Sequence, residues 1–193
     1  MVRKNVAVLV SGGGTNLQAL IDAEKKGIIK SGTISLVVSN KESAYALQRA
    51  KKAGVEGIYI PRGKEFEASL IKVLEERKID FIVLAGFLSI LSEGFVKKYD
   101  KKIINVHPSL IPSFCGDGFY GLKVHEAALK KGVKVTGATT HFVNEITDGG
   151  EIIMQKAVEI ADDDTPESLQ LKVMQEAEWI ILPLSVEKVC SGK

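Results

Sequence analysis

The chain has 193 residues and a mass of 20.9 kDa, enough for one domain that buries most of its apolar surface and short for two. A composition of 45% hydrophobic and 26% charged residues with 5 prolines excludes a disordered, collagen-like or disulfide-stapled chain. The 26 Lys+Arg against 24 Asp+Glu leave a formal charge of +2, too small a field to select nucleic acid or an anionic membrane, so a small-molecule ligand is expected.

Cys115 and Cys190 are too few for a disulfide framework and lack CxxC spacing, which points to a reducing cytoplasm. The run Val6–Val10 is shorter than the roughly 7–15 apolar residues of a signal-peptide core. Phe81–Leu91, broken by Gly86 and Ser89, falls short of the roughly 18 residues needed to span a bilayer. No targeting or membrane segment is expected.

In chain order, short β-branched runs alternate with helical patterns: NVAVLV before Leu17–Lys26, TISLVVS before Ala44–Ala53, GIYI before Phe66–Arg77, then FIVLA and IINVH. That rhythm predicts βαβ units and a parallel sheet with helices on both faces. Past His107 a glycine- and aromatic-rich loop, SFCGDGFYG, leads to a helix near Val124–Lys130 and two strand-like runs, Thr136–Val143 and Ile152–Val158, that predict an antiparallel extension. In DDDTPES, Thr165 is the expected N-cap and Pro166 the first helical residue of a long final helix. Pro183 is expected to kink or end that helix.

Three segments carry chemistry. Ser11-Gly12-Gly13-Gly14-Thr15-Asn16 joins the first strand to the first helix, where bare N–H groups and a helix dipole hold an anion. It lacks the Gly-Lys-Ser/Thr of a P-loop, places Leu17 where a dinucleotide fingerprint has its third glycine, and the second strand ends in Ser39-Asn40 without an acid for a ribose diol. The alternative is a tight glycine turn capped by Thr15. In the second segment, Asn105 and His107 lie two apart at a strand end and so share a face. An amide beside an imidazole suits oxyanion stabilisation and proton transfer, and the alternative is a hydrogen-bonded core histidine. The third, HFVNEITDGG, supplies Asp148 before Gly149 and Gly150, either as partner to a histidine or as a hairpin turn. His107, His125, His141 and Cys115 show no metal-ligand spacing, so no metal is expected.

Taken together, VLVSGGGTNLQAL, VVSNKESAYAL, VLAGFLSIL, NVHPSLIPSF, THFVNEITDGGEII and QEAEWIILPL resemble the phosphoribosylglycinamide formyltransferase family over nearly the whole chain. The resemblance implies an α/β, Rossmann-like, open and mostly parallel twisted sheet with an antiparallel C-terminal part. It implies one formyltransferase domain over residues 1–193, with a phosphate-binding half over about 1–100 and a folate and catalytic half over about 101–193. The implied reaction moves a formyl group from 10-formyltetrahydrofolate to the amine of glycinamide ribonucleotide in purine synthesis, with no metal.

By the same resemblance Asn105, His107 and Asp148 are the catalytic trio, and Gly14, Thr15, Asn16, Gln175 and Glu178 contact the ribonucleotide. Folate is assigned to Lys64, Leu88, Ser89, Ile90, Leu91, Asn105, Asn144, Glu145, Ile146, Thr147 and Asp148. This chain departs from the family pattern at Ser89, where many members carry arginine, and in a shorter segment that offers Arg62 and Lys64. It departs again in a longer loop after Pro112, beyond which His125 matches a family histidine. Another 10-formyltetrahydrofolate-dependent transferase or hydrolase, or a non-catalytic phosphometabolite-binding module, stays open as an alternative, as does monomer against homodimer.

Overall fold

The computed structural model describes residues 2–193. In chain order it contains β1 (Lys4–Val10), α1 (Thr15–Lys25), β2 (Gly32–Ser39), α2 (Tyr45–Ala53), β3 (Glu56–Tyr59), α3 (Phe66–Glu76) and β4 (Phe81–Leu84). There follow α4 (Glu93–Lys98), β5 (Ile103–His107), α5 (Leu122–Lys131), β6 (Val135–Phe142), β7 (Ile152–Glu159), α6 (Pro166–Val173), a π turn (Met174–Glu178) and α7 (Trp179–Ser191). The strands form one sheet in the order β3-β2-β1-β4-β5-β6-β7. β1 to β5 pair parallel, and β6 and β7 add antiparallel, as the sequence pattern predicts.

Two-residue periodicity sorts the core. Val6, Val8 and Val10 of β1 pack on one face with Leu17 and Leu20 of α1, Ala46 of α2 and Leu182 of α7. Ala7 and Leu9 face the other way, onto Leu70 and Leu74 of α3 and Phe95 of α4. Each fully buried leucine contributes about 1.5–3 kcal/mol, so these two layers carry most of the fold's stability. A third cluster joins Ala138 and Val158 of the antiparallel strands to Leu169, Val173 and Ile181.

Two elements differ from expectation. The sequence pattern runs from FIVLA straight to IINVH, yet α4 intervenes; its six residues are too few for a periodic signal. It starts where Ser92 Oγ accepts the Phe95 N–H. Pro183 does not end the final helix, which continues to Ser191. The irregularity lies upstream instead, as the π turn over Met174–Glu178. Pro183 thus falls in the opening turns of a restarted α segment, where it removes one backbone hydrogen bond without stopping the helix. Thr165 and Pro166 start α6 as predicted, with Thr165 and Ser168 capping each other reciprocally.

The topology also fixes where a ligand goes. β1 is followed by β2 on one side, whereas β4 lies on its other side, so the C-terminal ends of β1 and β4 form a switch point where open α/β sheets bind ligands.

Candidate active site

The glycine loop leaves β1 at that switch point. Gly14 is the N-cap of α1, with φ of 73° and no side-chain cap. Thr15 therefore does not cap the helix, as the turn reading had expected, and the first N–H groups are free of a side-chain partner. A Cβ on Gly14 would sit 2.7 Å from Ala46 Cβ, whereas Gly12 and Gly13 face open space. The two roles are thus divided: Gly14 permits the approach of α2, and the open backbone lies one and two residues earlier. α2 holds the loop from behind through Ala46 N–H to the Gly12 carbonyl (3.1 Å) and Arg49 Nε to the Gly13 carbonyl (2.8 Å).

Asn16 reaches the far end of the chain: its Nδ2 donates to Glu178 Oε2 at 2.7 Å. Glu178, turned inward by the π turn, is 7% exposed. Burial raises its carboxyl above the ordinary range, and the Asn16 bond opposes this. Asn16 Oδ1 is buried with no partner, so an acceptor beside this carboxylate awaits a donor such as a ligand hydroxyl. The Gln175 side chain is exposed and has no hydrogen-bond partner among the described residues. The contact between Asn16 and Glu178 also joins the two halves of the chain expected to divide the ligands between them.

Asp148 gathers the second group of predicted residues. One carboxylate oxygen lies 3.4 Å from His107 Nδ1 and accepts the Gly116 N–H at 2.9 Å. The other lies 3.6 Å from His141 Nε2 and 3.5 Å from Asn105 Nδ2. Burial alone would raise this carboxyl; the His141 bond, the Gly116 N–H and the charges of His107 and His141 outweigh it and hold it below the usual range. Asp148 has φ of 55°, a left-handed conformation that aspartate tolerates better than most residues. The turn reading and the catalytic reading of Asp-Gly-Gly are therefore both met: a turn aims the carboxylate.

The sequence reading missed two parts of this site. His141, read there only as a potential metal ligand, has Nε2 3.2 Å from Asn105 Nδ2 and Nδ1 2.9 Å from the Phe142 carbonyl. The carbonyl can only accept, so Nδ1 carries a proton directed at it, and Nε2 faces Asn105 and the Asp148 carboxylate. Its position opposite Asn105 in the β5/β6 ladder was readable only once the antiparallel register was known. The loop after Pro112 contributes backbone groups: the Phe114 carbonyl accepts from His107 Nε2 at 2.8 Å, and Gly116 binds Asp148. Such contacts leave no side-chain signal. Ser109 and Cys115 lie nearby but donate to backbone carbonyls, not to a base.

His125, buried on α5 at 1% exposed, has both ring nitrogens unpartnered. Burial, with the His107 charge, lowers its pKa to about 4.

On the β4 side, Ser11 N–H donates to the Gly86 carbonyl and Leu88 N–H to Ser11 Oγ (2.9 Å), tying the glycine loop to the segment Leu88–Leu91. Arg62, Lys64, Phe66, Ile90 and Leu91 line a cavity of about 360 Å³. Ile90 is 88% and Leu88 57% exposed, as is Ile146 at 64%, so apolar groups stand open on these loops. Asn144 Oδ1 accepts from Ile146 N–H and Thr147 Oγ1 donates to Asp117, while Glu145 is exposed. A second cavity of about 390 Å³, lined by Phe81, Lys101 and Glu151, lies at the opposite end of the parallel strands. Among the described residues no three His, Cys, Asp or Glu side chains form a metal-binding group.

An open glycine loop at the switch point beside an amide, an imidazole and a buried carboxylate, with no Ser or Cys hydrogen-bonded to a histidine among the described residues, is an arrangement suited to group transfer in an α/β enzyme. The chain belongs to the formyl transferase family, whose model matches residues 4–186. It is 37% identical to the phosphoribosylglycinamide formyltransferase of Haemophilus influenzae, over 98% of this chain and 89% of the relative. It is 45% identical to the trifunctional purine biosynthetic protein adenosine-3 of Gallus gallus, over 97% of this chain but only 18% of that longer protein. The solved phosphoribosylglycinamide formyltransferase of Anaplasma phagocytophilum superposes with a TM-score of 0.89 at 41% identity, covering 99% of this chain and 89% of that one.

Proposed function

We propose that this chain transfers the formyl group of 10-formyltetrahydrofolate to the amine of glycinamide ribonucleotide, in the cytoplasm, where unpaired thiols such as Cys115 and Cys190 persist. The observation that carries this reading is the convergence of Asn105, His107 and His141 on the Asp148 carboxylate. The ribonucleotide phosphate meets the open backbone at Gly12 and Gly13 and the free N-terminus of α1. Its hydroxyls suit the Asn16 and Glu178 acceptors. Folate suits the apolar side chains and cations around Leu88–Leu91, Lys64 and Asn144–Asp148.

In the transfer, the amine nitrogen bonds to the formyl carbon, the bond from that carbon to the folate nitrogen breaks, and one proton passes from the amine to the departing nitrogen. Asn105 donates an N–H to the oxyanion that develops, exchanging its long 3.5 Å contact with Asp148 for the substrate while His141 holds the amide. His107 exchanges the Phe114 carbonyl for the substrate and moves the proton, with Asp148 stabilising the charged ring. Cys115 takes no part: burial, with the Asp148 charge, pushes its thiol pKa up, so it stays protonated at neutral pH.

Purified protein given glycinamide ribonucleotide and a 10-formylfolate should form N-formyl product in step with loss of the donor. Formate release without the ribonucleotide would replace this reading with a hydrolase, and ribonucleotide binding without turnover with a binding module.

A further inference from the structure

The most connected buried polar side chain outside the trio is Asn40, at the C-terminal end of β2 and 3% exposed. Its amide faces the Arg62 guanidinium, which carries only donors, so the oxygen points that way. In this orientation Asn40 Oδ1 accepts from Arg62 Nε and Nη2 at 3.0 and 3.1 Å and from Ser89 Oγ at 2.8 Å, while Nδ2 donates to Ser11 Oγ at 2.9 Å. Ser11 Oγ in turn accepts the Leu88 N–H.

One amide therefore touches three chain segments. Ser11 opens the glycine loop, Ser89 lies in the segment over the β4 end, and Arg62 lines the cavity beside it. Among the described residues Arg62 is in no ion pair. An amide holds the guanidinium without neutralising it, as an aspartate at the same place would, so the positive charge stays available to an anionic ligand.

We infer that Asn40 is a positioning residue that sets both substrate loops at once; the inference rests on the functional reading above. It touches no reacting atom. Its donor side orients Ser11 and the start of the glycine loop, and its acceptor side orients Ser89 and Arg62. Each hydrogen bond of this kind carries a net effect of a few-fold to about tenfold on an equilibrium.

The test compares Asn40→Ala, Arg62→Ala, Ser89→Ala and the Asn40→Ala/Arg62→Ala pair in the full chain, by KM for each substrate, kcat, and hydrogen exchange of the Leu88 amide. Asn40→Ala is expected to raise both KM values about three- to tenfold with kcat changed less. Arg62→Ala is expected to raise only the formyl-donor KM, and the pair to raise the donor KM no further than Arg62→Ala alone, because Asn40 acts on the donor through Arg62. Faster Leu88 exchange in Asn40→Ala should accompany this.

If Asn40→Ala does not fold, Ser11→Ala cuts its donor side and Ser89→Ala its acceptor side, and a rise in the ribonucleotide KM of the first with a rise in the formyl-donor KM of the second supports the inference. A ribonucleotide KM unmoved by Asn40→Ala or, where that variant does not fold, by Ser11→Ala, or donor effects that multiply in the pair, overturns it. An unmodified enzyme that fails to formylate overturns the functional reading instead, and the Leu88 exchange still decides the role of Asn40.

Discussion

Asp148 and His107 face each other at 3.4 Å from Oδ2 to Nδ1, while the second Asp148 oxygen lies 3.6 Å from His141. One carboxylate thus serves two rings, and its pKa lies below the usual range. With a lowered folded pKa, its contribution is present above the unfolded value of about 3.9 and lost as pH falls through the folded one, so Asp148 is ionised wherever the enzyme is assayed near neutrality. Asp148→Asn keeps the shape, the left-handed backbone and an acceptor for Gly116 while removing the charge. We expect kcat to fall about 10²- to 10⁴-fold, the range for lost acid–base assistance, with Tm within a few degrees. Steady-state rates and a melting curve check this, and near-normal kcat would leave Asp148 as a turn residue only.

Glu178 behaves in the opposite sense. Its pKa is raised by burial, so its contribution to stability is full below the unfolded value of about 4.3 and is lost as pH rises through the folded one. Glu178→Gln is neutral at every pH and still accepts from Asn16. The variant should therefore melt higher than the parent by a margin that grows as pH rises above the unfolded value of about 4.3, while its ribonucleotide KM rises. A constant margin, or an unchanged KM, contradicts the burial argument or the hydroxyl-binding role respectively.

His125 gives a third pH signature. Burial, with the His107 charge, lowers its pKa to about 4, so the unfolded chain takes up a proton near pH 6.5 before the folded one does. Stability is therefore lost as pH falls from about 6.5 to about 4. Both ring nitrogens lack partners, so His125→Leu removes an uncompensated desolvation. It should be neutral or stabilising at pH 7, and its denaturation midpoint should fall less over that acid window. A curve parallel to the parent's would place the titrating group elsewhere.

Much of this was legible in the sequence because local patterns coincide with the buried faces. Val6, Val8 and Val10 alternate with Ala7 and Leu9, and a strand buried on both sides has to read as continuous apolar residues. The spacing of Asn105 and His107 placed them on one face, and resemblance tied Asp148 and Glu178 to the site. What stayed hidden depends on distant pairing. His141 meets Asn105 through antiparallel register, Phe114 and Gly116 act through backbone atoms, and Asn40 gains its neighbours only when three loops meet at one sheet edge. Pro183 does not end the final helix, and the π turn upstream had no sequence signal of its own.

The glycine loop separates packing from binding at neighbouring positions. Gly14 combines a φ of +73° with a built Cβ only 2.7 Å from Ala46 Cβ. Gly14→Ala should therefore cost about 1–3 kcal/mol of stability, from left-handed strain and overpacking together. Ala46→Gly in the same chain should relieve the overpacking at its own helix-propensity cost, so the pair should lose less stability than the two single losses added together. A Cβ on Gly13 meets nothing within 4 Å and needs no unusual backbone. Gly13→Ala should then fold normally and raise the ribonucleotide KM several-fold by crowding the open backbone, with the formyl-donor KM unchanged. Urea melts and the two KM values decide: if Gly13→Ala binds the ribonucleotide normally, the anion lies away from this backbone, and if Gly14→Ala is as stable as the parent, the close approach of α2 does not demand glycine.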